Sequence, residues 1–208
     1  MNPKDIVREG YDRISHAYRS DSGDEARADY AAWLDELRQR VPLGAAVLDL
    51  GCGCGVPAAQ QLAADYAVTG VDISPVQIAR AQQLVPQARF VCADMTALDF
   101  SPGSFAAVVS LYAIIHVPLA EQPGLFRAIH RWLEPGGYLL ATVGADAWTG
   151  TEQDWLGVAG GTMYWSHADP ATYERWLQQA GFGVVWSRFV PEGDGGHTLV
   201  LAQRRGDG

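Results

Sequence analysis

Cysteine is scarce and positive charge runs short. The three cysteines, Cys52, Cys54 and Cys92, are too few and too uneven for the disulfide framework of a secreted domain. Two of them share one glycine-rich turn that a cross-link would distort. All three are therefore read as reduced, and the protein as cytoplasmic. Lys and Arg number 15 against 24 Asp and Glu, a formal net charge of -9. Such a field repels polyanions, so no nucleic-acid partner is expected; the sole basic cluster is Arg204-Arg205. No apolar run reaches the ~20 residues of a membrane helix, and the first five residues lack the apolar stretch of a signal peptide. No membrane partner is expected. Internal repeats and low-complexity segments are also missing. What remains is a chain of 208 residues, 48% hydrophobic and 19% charged, which suits one α/β domain with a core of its own.

Apolar periodicity places the elements. Residues 3–19 predict a helix, with Pro3 in its first turn and Ile6, Gly10, Ile14 and Ala17 at helical spacing. A second helix is expected over 24–40, carrying Tyr30, Trp33, Leu34 and Leu37 on one face. Trp33 and Trp132 read as core. Short apolar runs at 46–50, 67–72, 89–92, 105–110 and 138–143 predict strands buried on both faces. Helices are expected between them, from 56 to 65, 75 to 84 and 119 to 133; Ser74 and Pro75 form an N-terminal cap for the second of these. Strands alternating with helices predict a doubly wound, mostly parallel sheet. Residues 144–168 have no clear period; a short helix shaping a site is expected there. A further helix runs from Asp169-Pro170 to Gly181. Strands at 183–190 and 197–203 are joined by a link too short for a crossover, so they must be antiparallel. The chain is read as one domain over 1–208: a helical cover over 1–40, a core over 41–143, and a segment with a closing hairpin over 144–208.

The chemistry concentrates after the first strand, in Asp49-Leu50-Gly51-Cys52-Gly53-Cys54-Gly55. Glycines permit the positive φ of a tight turn and let a ligand approach the backbone. The carboxyl end of a parallel strand is where such sheets bind ligands. A phosphate-cradling loop would end in Gly-Lys-Ser/Thr, which is absent. A dinucleotide fingerprint needs a third glycine where Val56 stands. The pattern left is D-x-G-x-G-x-G. It resembles motif I of the class I S-adenosylmethionine-dependent methyltransferases, and other landmarks extend the resemblance over residues 46–143. Val71-Asp72-Ile73-Ser74 resembles the acidic end of the second strand, Cys92-Ala93-Asp94-Met95 the end of the third, Ser110-Leu111 the end of the fourth. Leu133-Glu134-Pro135-Gly136-Gly137 resembles the turn before strand five. Tyr11-Asp12-Arg13-Ile14-Ser15-His16-Ala17-Tyr18 is similar to the first helix of the small-molecule branch.

The resemblance implies a seven-stranded Rossmann-like sheet in the order 3-2-1-4-5-7-6, with strand seven antiparallel. It implies S-adenosyl-L-methionine as cofactor, with Asp72 at the ribose hydroxyls, Asp94 at the adenine amine and Ser110 and Leu111 near the methionine part. Asp49, Gly51, Cys52, Gly53, Ile73 and Met95 complete the implied cofactor site, and Tyr11 and Tyr18 help to cover it. Carboxylates can accept such hydrogen bonds, although each acid can equally cap the turn that follows it.

Methyl transfer needs an aligned nucleophile, and a base only where the acceptor loses a proton. No metal is expected, for no His/Asp/Glu set has ligand spacing. His116 is a candidate general base and Tyr112 an orienting group, or His116 is a packing histidine. His167, beside Tyr164 and Trp165, suggests a pocket for a small, partly apolar acceptor, or a structural lid. His197 opens the last strand, either over the acceptor or in a solvated turn. The expected activity is methyl transfer to oxygen or nitrogen of a small metabolite, in specialised metabolism. The alternatives are a methyltransferase-like protein that binds the cofactor without catalysis and a nucleotide-dependent oxidoreductase. Oligomeric state has no signature in the sequence.

Overall fold

The computed structural model describes residues 2–22, 24 and 27–206. Helix α1 (Pro3–Tyr18) begins under Asn2, whose side chain accepts from the Lys4 amide, and α2 (Arg27–Arg38) follows. The core then alternates: β1 (Ala46–Leu50), α3 (Ala58–Leu62), β2 (Ala67–Asp72), α4 (Pro75–Leu84), β3 (Arg89–Cys92), β4 (Phe105–Ser110), α5 (Gln122–Trp132) and β5 (Leu133–Gly144). Strands β6 (Trp148–Glu152) and β7 (Met163–His167), helix α6 (Pro170–Gln179), and β8 (Phe182–Glu192) and β9 (Gly195–Arg204) complete the chain.

Seven strands form one sheet in the order β3-β2-β1-β4-β5-β9-β8. The first five pair in parallel, and β9 runs antiparallel to both β5 and β8. This is the doubly wound order that the resemblance implies. The central strands show why. Leu48, Leu50 and Val108 point to one face, packed with Phe126, Ile129 and Trp132 of α5. Val47, Ala107 and Val109 point to the other, packed with Leu34 and Leu37 of α2 and Leu62 of α3. Each large aliphatic side chain so buried contributes roughly 1.5–3 kcal/mol. With both faces covered, these strands read as unbroken apolar runs rather than alternating ones.

Two expectations fail. Residues 144–168 hold a hairpin rather than a helix: β6 and β7 form a separate two-stranded sheet, Trp148 opposite His167 and Glu152 opposite Met163. A single 3-10 turn, Trp155–Gly157, interrupts the link. The hairpin packs on α1, where Val7, Tyr11 and Ile14 meet Met163. Gly10 makes the approach possible: a Cβ there would stand 2.4 Å from the Thr162 carbonyl oxygen. Trp33, read as core, is only half-buried and stacks on Tyr30, ring centroids 5.3 Å apart, at the edge of a cavity. Trp132 is fully buried as expected.

Candidate active site

At the carboxyl end of β1 the chain turns sharply. Gly51 and Gly53 adopt positive φ, +75° and +54°. The Gly51 and Cys52 amides donate back to the Val71 carbonyl at 2.7 and 3.0 Å, and Gly51 and Gly53 line a cleft. Asp72 ends β2 across from this loop. Its Oδ2 accepts from the Gly53 amide at 2.9 Å and its Oδ1 from the Ser74 amide at 2.8 Å, so one carboxylate fixes two turns. Each oxygen keeps lone-pair capacity for a further donor. Burial raises the Asp72 carboxyl to about 6, against those stabilising amide bonds.

Asp49 is buried beneath the loop. Its Oδ2 has no partner, and burial, reinforced by the nearby Asp72 charge, raises its carboxyl to about 7. A buried acceptor left unpaired is costly, so this oxygen is a binding group in waiting. Gln77, in the first turn of α4, presents a second such group: its Oε1 accepts from Ser15 at 2.8 Å, while its buried Nε2 has no partner. Asp72, Gln77, Gly51 and Gly53 line a cleft of about 640 Å³. Asp49 and Arg19 line a recess of about 380 Å³ on the other side of the same glycines.

Helix α1 roofs the cleft. Tyr11 is buried, and its hydroxyl lies 2.9 Å from His116 Nε2. The other ring nitrogen, Nδ1, stands 2.7 Å from the Tyr164 carbonyl oxygen. A carbonyl only accepts, so Nδ1 carries the proton and Nε2 accepts from Tyr11. Burial drives the His116 imidazole down to about 4, opposed by the Tyr164 bond. His116 is thus neutral with both nitrogens engaged, and burial holds the Tyr11 phenol well above its ordinary value. Lys4, the chain's single lysine, reaches from α1 to Asp94 at 2.7 Å, to Thr96 at 2.6 Å, and to Glu121. Burial opposes ionisation of Asp94, but the bonds from Lys4 and Thr96 outweigh it and keep the carboxyl below its ordinary range.

Beyond Tyr11 the cleft opens into a second cavity of about 620 Å³ with which it shares Tyr11, Tyr18, Tyr112 and His116. Trp155 and Trp165 line it and pack edge to face on each other, centroids 5.1 Å apart. Tyr112 has φ +57° at the end of β4 and meets the His197 ring edge-on at 5.1 Å. His197 Nδ1 lies 3.0 Å from Glu192 Oε2, and that contact holds the Glu192 carboxyl below its ordinary value.

The structure gathers most of the sequence-predicted residues here. Tyr11, Tyr18, Gly51, Gly53, Asp72, Ile73, Met95, Leu111, Tyr112 and His116 face the cleft, Asp49 and Cys52 the adjoining recess, and His197 the second cavity. Three residues depart from expectation. His167 is turned from all of these spaces and places Nδ1 2.7 Å from the Asp146 carbonyl oxygen, because its strand pairs with Trp148. Ser110 spends its hydroxyl on the Leu50 carbonyl at 2.9 Å, tying β4 to β1. Asp94 is engaged by Lys4 and Thr96 rather than presented to the cleft. Lys4, Arg19, Gln77 and Glu192 were missed. Gln77 had a signal, a polar residue in the first turn of a capped helix beside Asp72; Lys4 had none, being 90 residues from its partner Asp94.

Comparison with known proteins agrees with this geometry. Residues 47–137 match the model of a methyltransferase domain. Over that span, which contains the glycine turn and Asp72, the chain is similar to a methyltransferase domain. Among curated proteins it is similar to the 2-methyl-6-phytyl-1,4-hydroquinone methyltransferase of Synechocystis sp., 41% identical over 105 residues, 48% of this chain and 32% of that protein. It is 34% identical over 133 residues to the ubiquinone biosynthesis O-methyltransferase of Pseudomonas paraeruginosa, 55% of each chain. The chain thus spans between about a third and just over half of the length of these two relatives. Among solved structures, an S-adenosylmethionine dependent methyltransferase from Mesorhizobium loti superposes with a TM-score of 0.66 at 25% identity, over 85% of this chain and 99% of that one.

Proposed function

We propose that this protein is an S-adenosylmethionine-dependent methyltransferase that moves a methyl group to an oxygen or nitrogen of a small metabolite. The observation that carries the reading is the pair of unpartnered buried groups, Asp49 Oδ2 and Gln77 Nε2, flanking one glycine turn. An ammonium suits the first and a ribose oxygen the second. Asp72 supplies acceptors for vicinal hydroxyls, and Arg19, in the recess with Asp49, a cation for the methionine carboxylate. Ala93, Met95 and Leu111 offer apolar contact for the adenine. Bound in this way, the cofactor supplies an activated methyl on a sulfonium.

The protein's own share is alignment and exclusion of water. Tyr11 lines both the cleft and the second cavity, so it stands where methyl and acceptor would meet, locked by His116. The second cavity favours catalysis over mere cofactor storage. Val56 at the third fingerprint position speaks against an oxidoreductase. The same reading takes the chain as one cytoplasmic domain acting on a small acceptor. No helix among the described residues is long and apolar enough to cross a membrane, and the net charge of -9 disfavours nucleic acid. The hydroquinone and ubiquinone methyltransferases among its relatives support a small-molecule acceptor. The test is incubation with methyl-labelled S-adenosylmethionine and a small-molecule extract. Label should appear in a low-mass product; cofactor uptake without any labelled product would favour the storage reading.

A further inference from the structure

Among the histidines of the site, one is left to take a proton in the second cavity. His116 has both ring nitrogens engaged, one by a carbonyl and one by Tyr11. His167 faces away. His197 lines the cavity and places Nδ1 3.0 Å from Glu192 Oε2, at ion-pair distance but without a hydrogen bond. The Tyr112 ring, 5.1 Å away and nearly perpendicular, fixes the imidazole in place. A carboxylate so close to one nitrogen stabilises the imidazolium that forms when the other nitrogen takes a proton.

The remaining walls describe the acceptor. Tyr11, Tyr18, Tyr112, Trp155 and Trp165 line the cavity with aromatic rings, a wall suited to a flat ring. A cationic amine would seek aromatic faces, and one of those walls, Tyr18, already holds the Arg19 guanidinium 5.0 Å from its centroid. A neutral ring bearing a hydroxyl fits the cavity, and a hydroxyl is the acceptor that gains most from a base, since an unionised phenol is a weak nucleophile.

We propose that His197, with the Glu192 carboxylate beside it, is the general base that deprotonates a hydroxyl on an aromatic acceptor. This rests on the methyltransferase reading. The acceptor O–H bond breaks and its proton passes to His197 Nε2. The oxygen lone pair forms the bond to the methyl carbon, the S–C electron pair returns to sulfur, and S-adenosylhomocysteine leaves. His197 then releases its proton to water.

The experiment offers the full chain one-, two- and three-ring phenols, their aniline counterparts and their saturated alcohols, with methyl-labelled S-adenosylmethionine. The phenols should be methylated. Label on the anilines or saturated alcohols alone, or on none of the three sets, overturns the proposal. Cofactor uptake by calorimetry separates this failure from failure of the methyltransferase reading, which would abolish uptake too. For an accepted phenol, His197→Asn should lower kcat by about 10²–10⁴-fold with KM little changed. The loss should vanish for a nitrophenol already ionised at the assay pH. Glu192→Gln should give a smaller loss with the same dependence on ionisation. Equal losses on ionised and unionised phenols would assign both residues a merely structural part and refute the base. Independently of turnover, 2-naphthol added to the S-adenosylhomocysteine complex should shift the ¹³Cε1 signal that His197→Asn removes. No shift at saturating naphthol counts against the proposal.

Discussion

Asp49→Asn removes a charge that the apo fold disfavours and that the proposed cofactor site calls for. In the folded protein the Asp49 carboxyl is raised to about 7 by burial and by Asp72, against about 3.9 in an unfolded chain. The fold therefore prefers the neutral form. Its contribution to stability is full below about pH 4 and is lost as pH rises through about 7. A ligand ammonium reverses the preference, because it pairs with the carboxylate. From pH 5.5 to 7.5 the ionised fraction of a group titrating near 7 rises roughly twentyfold, less a small loss from the ligand amine, which titrates near 7.7–8.0. Titration calorimetry should thus show S-adenosylmethionine binding roughly tenfold or more tightly at pH 7.5 than at pH 5.5, with proton release at the lower pH. In Asp49→Asn the slope should flatten, and affinity at pH 7.5 should fall by about 1.5–3 kcal/mol, the worth of a hydrogen bond to a charged group. The same variant should melt higher than the parent at pH 8, where the buried charge is gone. A parent affinity flat between the two pH values, or an Asn variant that keeps the slope, would refute the assignment of Asp49 to the ammonium.

Other outcomes follow from the same geometry. Gly51→Ala places a Cβ 2.1 Å from that of Ala113 at φ +75°; it should cost roughly 2–4 kcal/mol and weaken cofactor binding, and an unchanged melting temperature would contradict it. Tyr11→Phe leaves His116 Nε2 buried without its donor, so thermal unfolding should show a loss of about 1–3 kcal/mol. Lys4→Met frees Asp94 from its cation; an NMR titration should find the Asp94 carboxyl higher than in the parent, whereas an unmoved value would mean the pair does not hold in solution. Leu48→Ala, at the centre of the sheet with no exposure, should cost about 2–5 kcal/mol in denaturant unfolding.

The fold was legible in the sequence because its central strands are buried on both faces and end on punctuating residues. Asp49-Leu50-Gly51 and Ser74-Pro75 each mark a turn by chemistry that allows little else. The β6–β7 hairpin was illegible for the opposite reason. Trp148, Thr149, Thr151 and Glu152 are all exposed, so the strand carries no apolar alternation to read. In the site, the acids at strand ends could be found from their neighbours in sequence. His116 could be placed but not given a role, since its state depends on Tyr11 and Tyr164, 105 and 48 residues away. The same holds for Glu192, whose partner His197 is close in sequence but whose bearing on the cavity is set by how the β8–β9 hairpin lies over Tyr112.

A crystal structure with S-adenosylhomocysteine tests the central claim most directly. It should place both ribose hydroxyls within hydrogen-bonding distance of Asp72, and the amino group against Asp49, around the turn at Gly51 and Gly53. Nucleoside density lodged elsewhere, or crystals that take up none of the compound at saturating concentration, would contradict the account.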